Sequence, residues 1–123
     1  MLDQALTALV EDLHNRGMEK DVSVVCWGEF GRTPQVNKNA GRDHWPKLST
    51  AVLACGQMNH GQVIGASDEF GYKAEEQRVS PHDLHATMLH LLGIDHKQLT
   101  YRYNGRDMRL TDVAGTLIPQ IVA

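Results

Sequence analysis

The stretch that decides how this chain is read is Val22-Ser23-Val24-Val25-Cys26-Trp27, followed at once by Gly28-Glu29-Phe30-Gly31-Arg32-Thr33-Pro34. The first six residues are a short, almost unbroken apolar run rich in β-branched side chains. Such a run suits a strand covered on both faces, as in a parallel sheet. Thr50 to Cys55 has the same character. Upstream, Leu2, Ala5, Leu6, Leu9, Val10 and Leu13 recur at helical spacing with Asp3, Thr7, Glu11 and Asp12 opposite, and Gly17 supplies a stop. A helix leading into a buried strand is the repeating unit of an α/β fold, which is therefore the expected class.

Between the two apolar runs lies Gly28 to Ser49, with three glycines, two prolines, many charges and no helical or alternating period. A structureless connection of that length in a compact domain points to function. Downstream, Gln62 to Ile64 reads as a short strand between glycine-rich turns. Ser80, Pro81 and Asp83 spell a helix start: a hydroxyl cap, proline in the first turn and a carboxylate three residues after the cap. Leu84, Met88, Leu91 and Leu92 give that helix its apolar stripe, and Gly93 ends it. Asn104-Gly105 at the centre of Tyr101 to Leu110 is a two-residue hairpin signal. Thr111 is expected to cap a last helix carrying Val113, Leu117, Ile118 and Ile121, bent or shortened by Pro119.

At 123 residues, 41% of them apolar, the chain has the size and composition of one small globular domain. A net charge of −3 with scattered Lys and Arg offers no basic face, so neither nucleic acid nor a membrane surface is an expected partner. Cys26 and Cys55 sit singly in apolar runs, as small buried hydrophobes do. No apolar stretch approaches the roughly 20 residues that cross a bilayer. The helical pattern begins directly after Met1, as if the chain started mid-domain.

The densest polar constellation joins Gly28 to Pro34 with Gly41-Arg42-Asp43-His44-Trp45. In open α/β sheets sites form just past the carboxyl ends of strands, and Glu29 follows the first strand directly. Glu29, Asp43 and His44 are hard-to-borderline ligands that suit Zn, Mn, Mg or Ca, and Arg32 and Arg42 have the geometry to grip a phosphate or sulfate bidentately. Together they suggest hydrolysis of an anionic ester. Spacing alone supports equally a structural network in which Glu29 and Asp43 pair with the two arginines. His82 and His85 lie three apart on the later helix without completing a zinc-binding HExxH pattern, a spacing better explained by capping residues and solvated helix-face histidines, with His82 and Asp83 the best candidates for any supporting role around a metal. Asp68, Glu69 and Tyr72 are candidates for lining a pocket or for forming a polar turn, and Trp27 and Trp45 are expected packing anchors. No GxSxG elbow, phosphate-binding loop or dinucleotide fingerprint is present, so no catalytic nucleophile is assigned.

The segments GEFGRTP (28–34), GRDHWP (41–46), GQVIGAS (61–67), VSPHDLHATMLHLLGID (79–95) and YRYNGRDMRL (101–110), with the LDQAL start of the first helix, run along nearly the whole chain. In these the sequence resembles the C-terminal part of the bacterial family catalogued as domain of unknown function 1501, which belongs with the alkaline phosphatase and sulfatase superfamily. The resemblance implies a C-terminal fragment of an alkaline-phosphatase-like sandwich: a mostly parallel sheet flanked by helices, with a small C-terminal hairpin, residues 1–123 making one partial domain. It implies a divalent-metal hydrolase of sulfate or phosphate esters, inactive alone because the nucleophile and first ligands belong to an absent N-terminal half. A parent outside the cytoplasm is implied too. The superfamily commonly places an Asp-His metal-binding pair where this chain has Glu29 and Phe30; phenylalanine binds no metal, which alters the site and opens a second reading, a non-catalytic binding or surface-associated member. A third is a truncated gene product without a role. A sheet cut this way leaves apolar faces uncovered, so the chain is expected to pair with the missing half or with itself.

Overall fold

The structure is a computed structural model that describes residues 1–122. The chain forms two compact units, the first from Met1–Ser23, Cys55–Gly61 and the segment starting at Val79, the second from Val24–Ala54 and Gln62–Arg78.

In the first unit, α1 spans Leu2–Asn15. It ends as its sequence demands. Gly17, in the left-handed region at φ 69°, donates its N–H to His14 O, and the Met18 N–H reaches Leu13 O at 2.9 Å. Those two bonds satisfy carbonyls that the last turn leaves without partners. The second helix, α2, spans Pro81–Leu91 and begins with the capping box that Ser80 and Asp83 announce. It closes with the same motif at its far end, from the N–H groups of Gly93 and Ile94 to His90 O and Leu89 O. The C-terminal hairpin is present. Thr100–Tyr103 and Arg106–Arg109 pair antiparallel around Asn104 and Gly105, both at positive φ (47° and 79°), as a two-residue hairpin turn requires.

Every buried apolar residue among the described residues belongs to this unit: Leu13, Cys55, Met58, Leu84, Ala86, Ile118 and Ile121. Thr87 and Thr111 are wholly buried beside them. The segment after Thr111 is not the helix expected from its apolar spacing; it runs as turns and extended chain. The reason lies in its partners. Thr87 Oγ1 accepts the Ile118 N–H at 3.0 Å and Asp83 Oδ1 accepts the Thr116 N–H, so backbone donors are drawn to α2 and away from a helical ladder. Gly115, at φ 96°, lies so close to Ala86 and the His82 carbonyl that a Cβ would meet them at 3.2 Å.

The second unit holds all but the end residues Ser23 and Cys55 of the paired apolar strands β1 (Ser23–Trp27) and β4 (Ala51–Cys55), together with two short antiparallel ribbons. These are β2 (Gly31–Arg32) with β3 (His44–Trp45), and β5 (Ala66–Ser67) with β6 (Ala74–Glu76). The hairpin strands of the first unit are β7 and β8. The mostly parallel sheet flanked by helices is therefore overturned. Among the described residues four separate two-stranded sheets replace it, three of them antiparallel. The sequence contains only two long apolar β-runs, and they pair with each other; the polar segments between them fold back locally as ribbons and not through helical crossovers. Nor is β1–β4 covered on both faces, for Trp27 is 41% and Val52 48% exposed. The strand expected at Gln62 to Ile64 is irregular, and the ribbon starts two residues later at Ala66.

Candidate functional site: the 28–49 loop

The long loop is organised by the β2–β3 ribbon. Gly31 pairs with Trp45 and Arg32 with His44, and the ladder continues with Thr33 and Asp43, the N–H of Thr33 reaching Asp43 O at 3.0 Å. Glycine is required at position 31, because a Cβ there would stand 1.8 Å from Leu48 O. Alternation along the ribbon then sorts the side chains. Arg32 and His44, directly opposite each other, share one face. Thr33, Asp43 and Trp45 share the other.

On the first face the Phe30 ring lies against His44, with centroids 4.1 Å apart and planes tilted by 38°. The Arg32 guanidinium carbon stands 5.4 Å from the centre of the same ring. Arg32 and His44 are both exposed. Among the described residues neither side chain forms a hydrogen bond or an ion pair, so the guanidinium and imidazole donors face solvent over a phenyl floor.

On the second face the polar groups are engaged with one another. Asn37 is the organiser: its Oδ1 accepts the N–H groups of Asn39 and Gly41, each at 3.0 Å, and its Nδ2 donates to Asp43 Oδ1 at 2.9 Å. Thr33 Oγ1 accepts the Asp43 N–H and donates to Gln35 O. Arg42 donates through Nη1 to the carbonyls of Thr33 and Pro34, at 2.8 and 2.6 Å. Trp45 Nε1 donates to Tyr72 O at 2.6 Å, and the two rings meet edge to face with centroids 5.4 Å apart. Thr33, Asn37, Asp43, Trp45 and Tyr72 line a small open cleft of about 210 Å³.

The proposed metal ligands are thus not gathered. Asp43 and His44 are neighbours on an extended segment and lean to opposite faces; one Asp43 oxygen takes an amide N–H and His44 lies on a phenyl ring. Glu29 is exposed on the bend before β2. Among the described residues no three His, Cys, Asp or Glu side chains come together as a ligand set. As arranged here, Glu29, Asp43 and His44 do not fit one ion. Arg42 braces the loop, leaving Arg32 as the cation presented to solvent.

A match to the family model described as "Protein of unknown function (DUF1501)" covers residues 1–122. The chain belongs to the DUF1501 family. No curated protein and no solved structure matches this DUF1501 chain.

His82 and Asp83 lie in the first unit, and Asp83 has a structural task there. Its Oδ2 accepts the N–H and hydroxyl of Ser80 at 2.8 and 2.6 Å, and its Oδ1 accepts the Thr116 N–H at 2.7 Å. Burial pushes its pKa up, but the Ser80 and Thr116 hydrogen bonds to the ionised form outweigh that, leaving it below the ordinary value of 3.8. His82 is exposed. Asn37 was missed by the sequence reading. Its signal was legible, since Asn-Lys-Asn-Ala-Gly is rich in residues that form side-chain-to-backbone turns.

Proposed function

We propose that this DUF1501 chain belongs to a protein of the alkaline phosphatase and sulfatase superfamily that hydrolyses sulfate or phosphate esters. The chain's own part in that activity is recognition of the anionic group. The superfamily placement, and the chain's place as the C-terminal part of the domain, rest on the GEFGRTP and GRDHW segments. The observation that carries the anion role is the pairing of Arg32 with His44 across the β2–β3 ribbon. Two donor-bearing side chains stand opposite each other on one face of the ribbon, and a guanidinium matches the paired oxygens of sulfate or phosphate. Phe30 restrains both, so little freedom is lost when an oxyanion arrives. Arg42 acts on the same site indirectly, by holding the loop that carries His44.

A metal would polarise the ester and stabilise developing charge. In this reading its ligands are not the trio Glu29, Asp43 and His44, and no step is assigned to it here. Calorimetric titration with inorganic sulfate and with inorganic phosphate tests the proposal. Binding that weakens about tenfold in both Arg32→Ala and His44→Ala, a loss of about 1.4 kcal/mol each, is the expected result. Equal affinity in wild type and both variants would sink it.

The second reading, a non-catalytic binding member of the fold, is favoured by Phe30, which stands at the position where the superfamily pattern has a metal-binding histidine and whose ring lies against His44. Titration with Zn²⁺ and Mn²⁺ separates the two: saturable binding abolished by Glu29→Ala or His44→Ala would return the metal to this loop and remove the second reading.

A further inference from the structure

We propose that Asn37 is a positioning residue for the oxyanion site, acting on His44 through Asp43; the proposal rests on the anion-binding reading of Arg32 and His44. The ladder that sets those two side chains opposite each other is short, with β2 only Gly31–Arg32 and β3 only His44–Trp45. A two-stranded ribbon is marginal by itself even at greater length. Its geometry must therefore be held by what lies beside it.

On the loop side the ladder gains one further rung. The Thr33 N–H donates to Asp43 O and the Asp43 N–H donates to Thr33 Oγ1, both at 3.0 Å. Beyond that rung Arg42 bonds the carbonyls of Thr33 and Pro34, and Asn37 folds the tip. The Asn37 backbone N–H donates to Gly41 O at 2.8 Å, and its carbonyl accepts the Ala40 N–H at 3.0 Å. Its Oδ1 accepts the N–H groups of Asn39 and Gly41, and its Nδ2 reaches across to Asp43 Oδ1 at 2.9 Å. Asp43 is thus fixed twice, by its backbone to Thr33 and by its side chain to Asn37. His44 is the next residue in the chain.

The loop tip also stores strain. Ala40 stands at φ 57°, in the left-handed region that a residue with a Cβ rarely adopts. Its own N–H is held by the Asn37 carbonyl, and the N–H groups on either side of it are held by Asn37 Oδ1. Such strain persists only where its surroundings over-determine it. A loop fixed in this way is ordered before a ligand arrives, so the cost of ordering it falls on folding and not on binding.

Titration of the 123-residue chain with inorganic sulfate is the test, with an unchanged helical dichroism showing that each variant is folded. Asn37→Ala, which adds no charge, should weaken binding about tenfold, the effect of a loop ordered in roughly one molecule in ten. The His44 ring, whose centroid lies 4.1 Å from that of Phe30, should lose its ring-current shift at the same time. Exchanging the pair, Asn37→Asp together with Asp43→Asn, keeps the net charge and an N–H···O bond between the two side chains. It should bind sulfate within about threefold of wild type. An exchanged pair as weak as Asn37→Ala would overturn the route through Asp43. Affinity that falls in Arg32→Ala but not in Asn37→Ala, with the His44 resonances unmoved, would overturn the role of Asn37 and leave the anion reading standing. Affinity indifferent to both Arg32→Ala and Asn37→Ala would sink the anion reading and this role with it.

Discussion

Asp83 and Thr116 stand 33 positions apart and are joined by a carboxylate oxygen that accepts a backbone N–H at 2.7 Å. The other oxygen of the same carboxylate caps α2 through Ser80. One side chain therefore starts a helix and pins the C-terminal segment across it, so that Ile118 and Ile121 reach the core without belonging to a helix.

Removing that carboxylate should cost more than a cap alone. Asp83→Ala loses the cap and leaves the Thr116 N–H without its acceptor, for a destabilisation of about 2–3 kcal/mol by urea unfolding at neutral pH. Because the folded pKa lies below 3.8, the stabilisation is complete above that value and is lost as pH falls through the folded value. Stability of the wild type should therefore drop on acidification below pH 3.8, and Asp83→Asn should remove that part of the slope. An Asp83→Asn curve parallel to wild type would show that the carboxylate is not the group responsible.

The two arginines of the loop should behave differently. Arg42→Ala removes two hydrogen bonds to the carbonyls of Thr33 and Pro34 and should destabilise the chain by about 1 kcal/mol, the discount reflecting its exposure. Arg32→Ala removes no hydrogen bond and should leave stability within about 0.5 kcal/mol of wild type, while weakening sulfate binding about tenfold. Paired thermal melts and sulfate titrations read both effects. A reversal, with Arg32→Ala the destabilising variant, would mean that the assignments of brace and anion contact are exchanged.

Local structure was largely legible in the sequence and its assembly was not. The capping box at Ser80 and Asp83, the stop at Gly17 and the Asn104-Gly105 turn are each set by interactions within a few residues, and each stands where the sequence places it. The sheet was misread because an apolar run states that a strand wants cover, not what covers it; β1 and β4 meet the expected pattern of side chains yet leave Trp27 and Val52 in water. The loop residues were singled out as a group. Their sorting was hidden, since the positions of Asp43 and His44 on opposite faces follow from a two-residue ribbon too short to carry an alternating pattern. Composition likewise gave no hint that Arg42 would bond backbone carbonyls.

Gly31 offers a sharp test of the ribbon. A methyl group at this position would fall 1.8 Å from Leu48 O, a backbone atom that moves only if the strand connection moves. Gly31→Ala should destabilise by about 3 kcal/mol and abolish anion binding together with the ribbon. Gly28→Ala, whose Cβ would meet nothing closer than Phe30 O at 3.5 Å, should be tolerated. Nuclear magnetic resonance shifts of the Trp45 indole N–H report whether its bond to Tyr72 O survives in each. Loss of that signal's shift in Gly28→Ala but not in Gly31→Ala would contradict the packing described.

His14 and Glu19 form an exposed hydrogen-bonded ion pair just after α1 turns into the next segment. The hydrogen bond and charge of Glu19 raise the His14 pKa above 6.5, and the hydrogen bond and charge of His14 lower that of Glu19 below 4.5. A raised histidine stabilises below its unfolded pKa and loses that contribution as pH rises through the folded value; a lowered carboxyl stabilises above its unfolded pKa and loses it as pH falls. The pair should therefore be most stabilising between about pH 4.5 and 6.5. Both side chains are open to solvent, so the benefit should shrink as salt is raised. Titration of the His14 ring by nuclear magnetic resonance should show a pKa above 6.5 that falls back in Glu19→Gln and in high salt. A His14 pKa unmoved by Glu19→Gln would mean that the ion pair does not persist in solution.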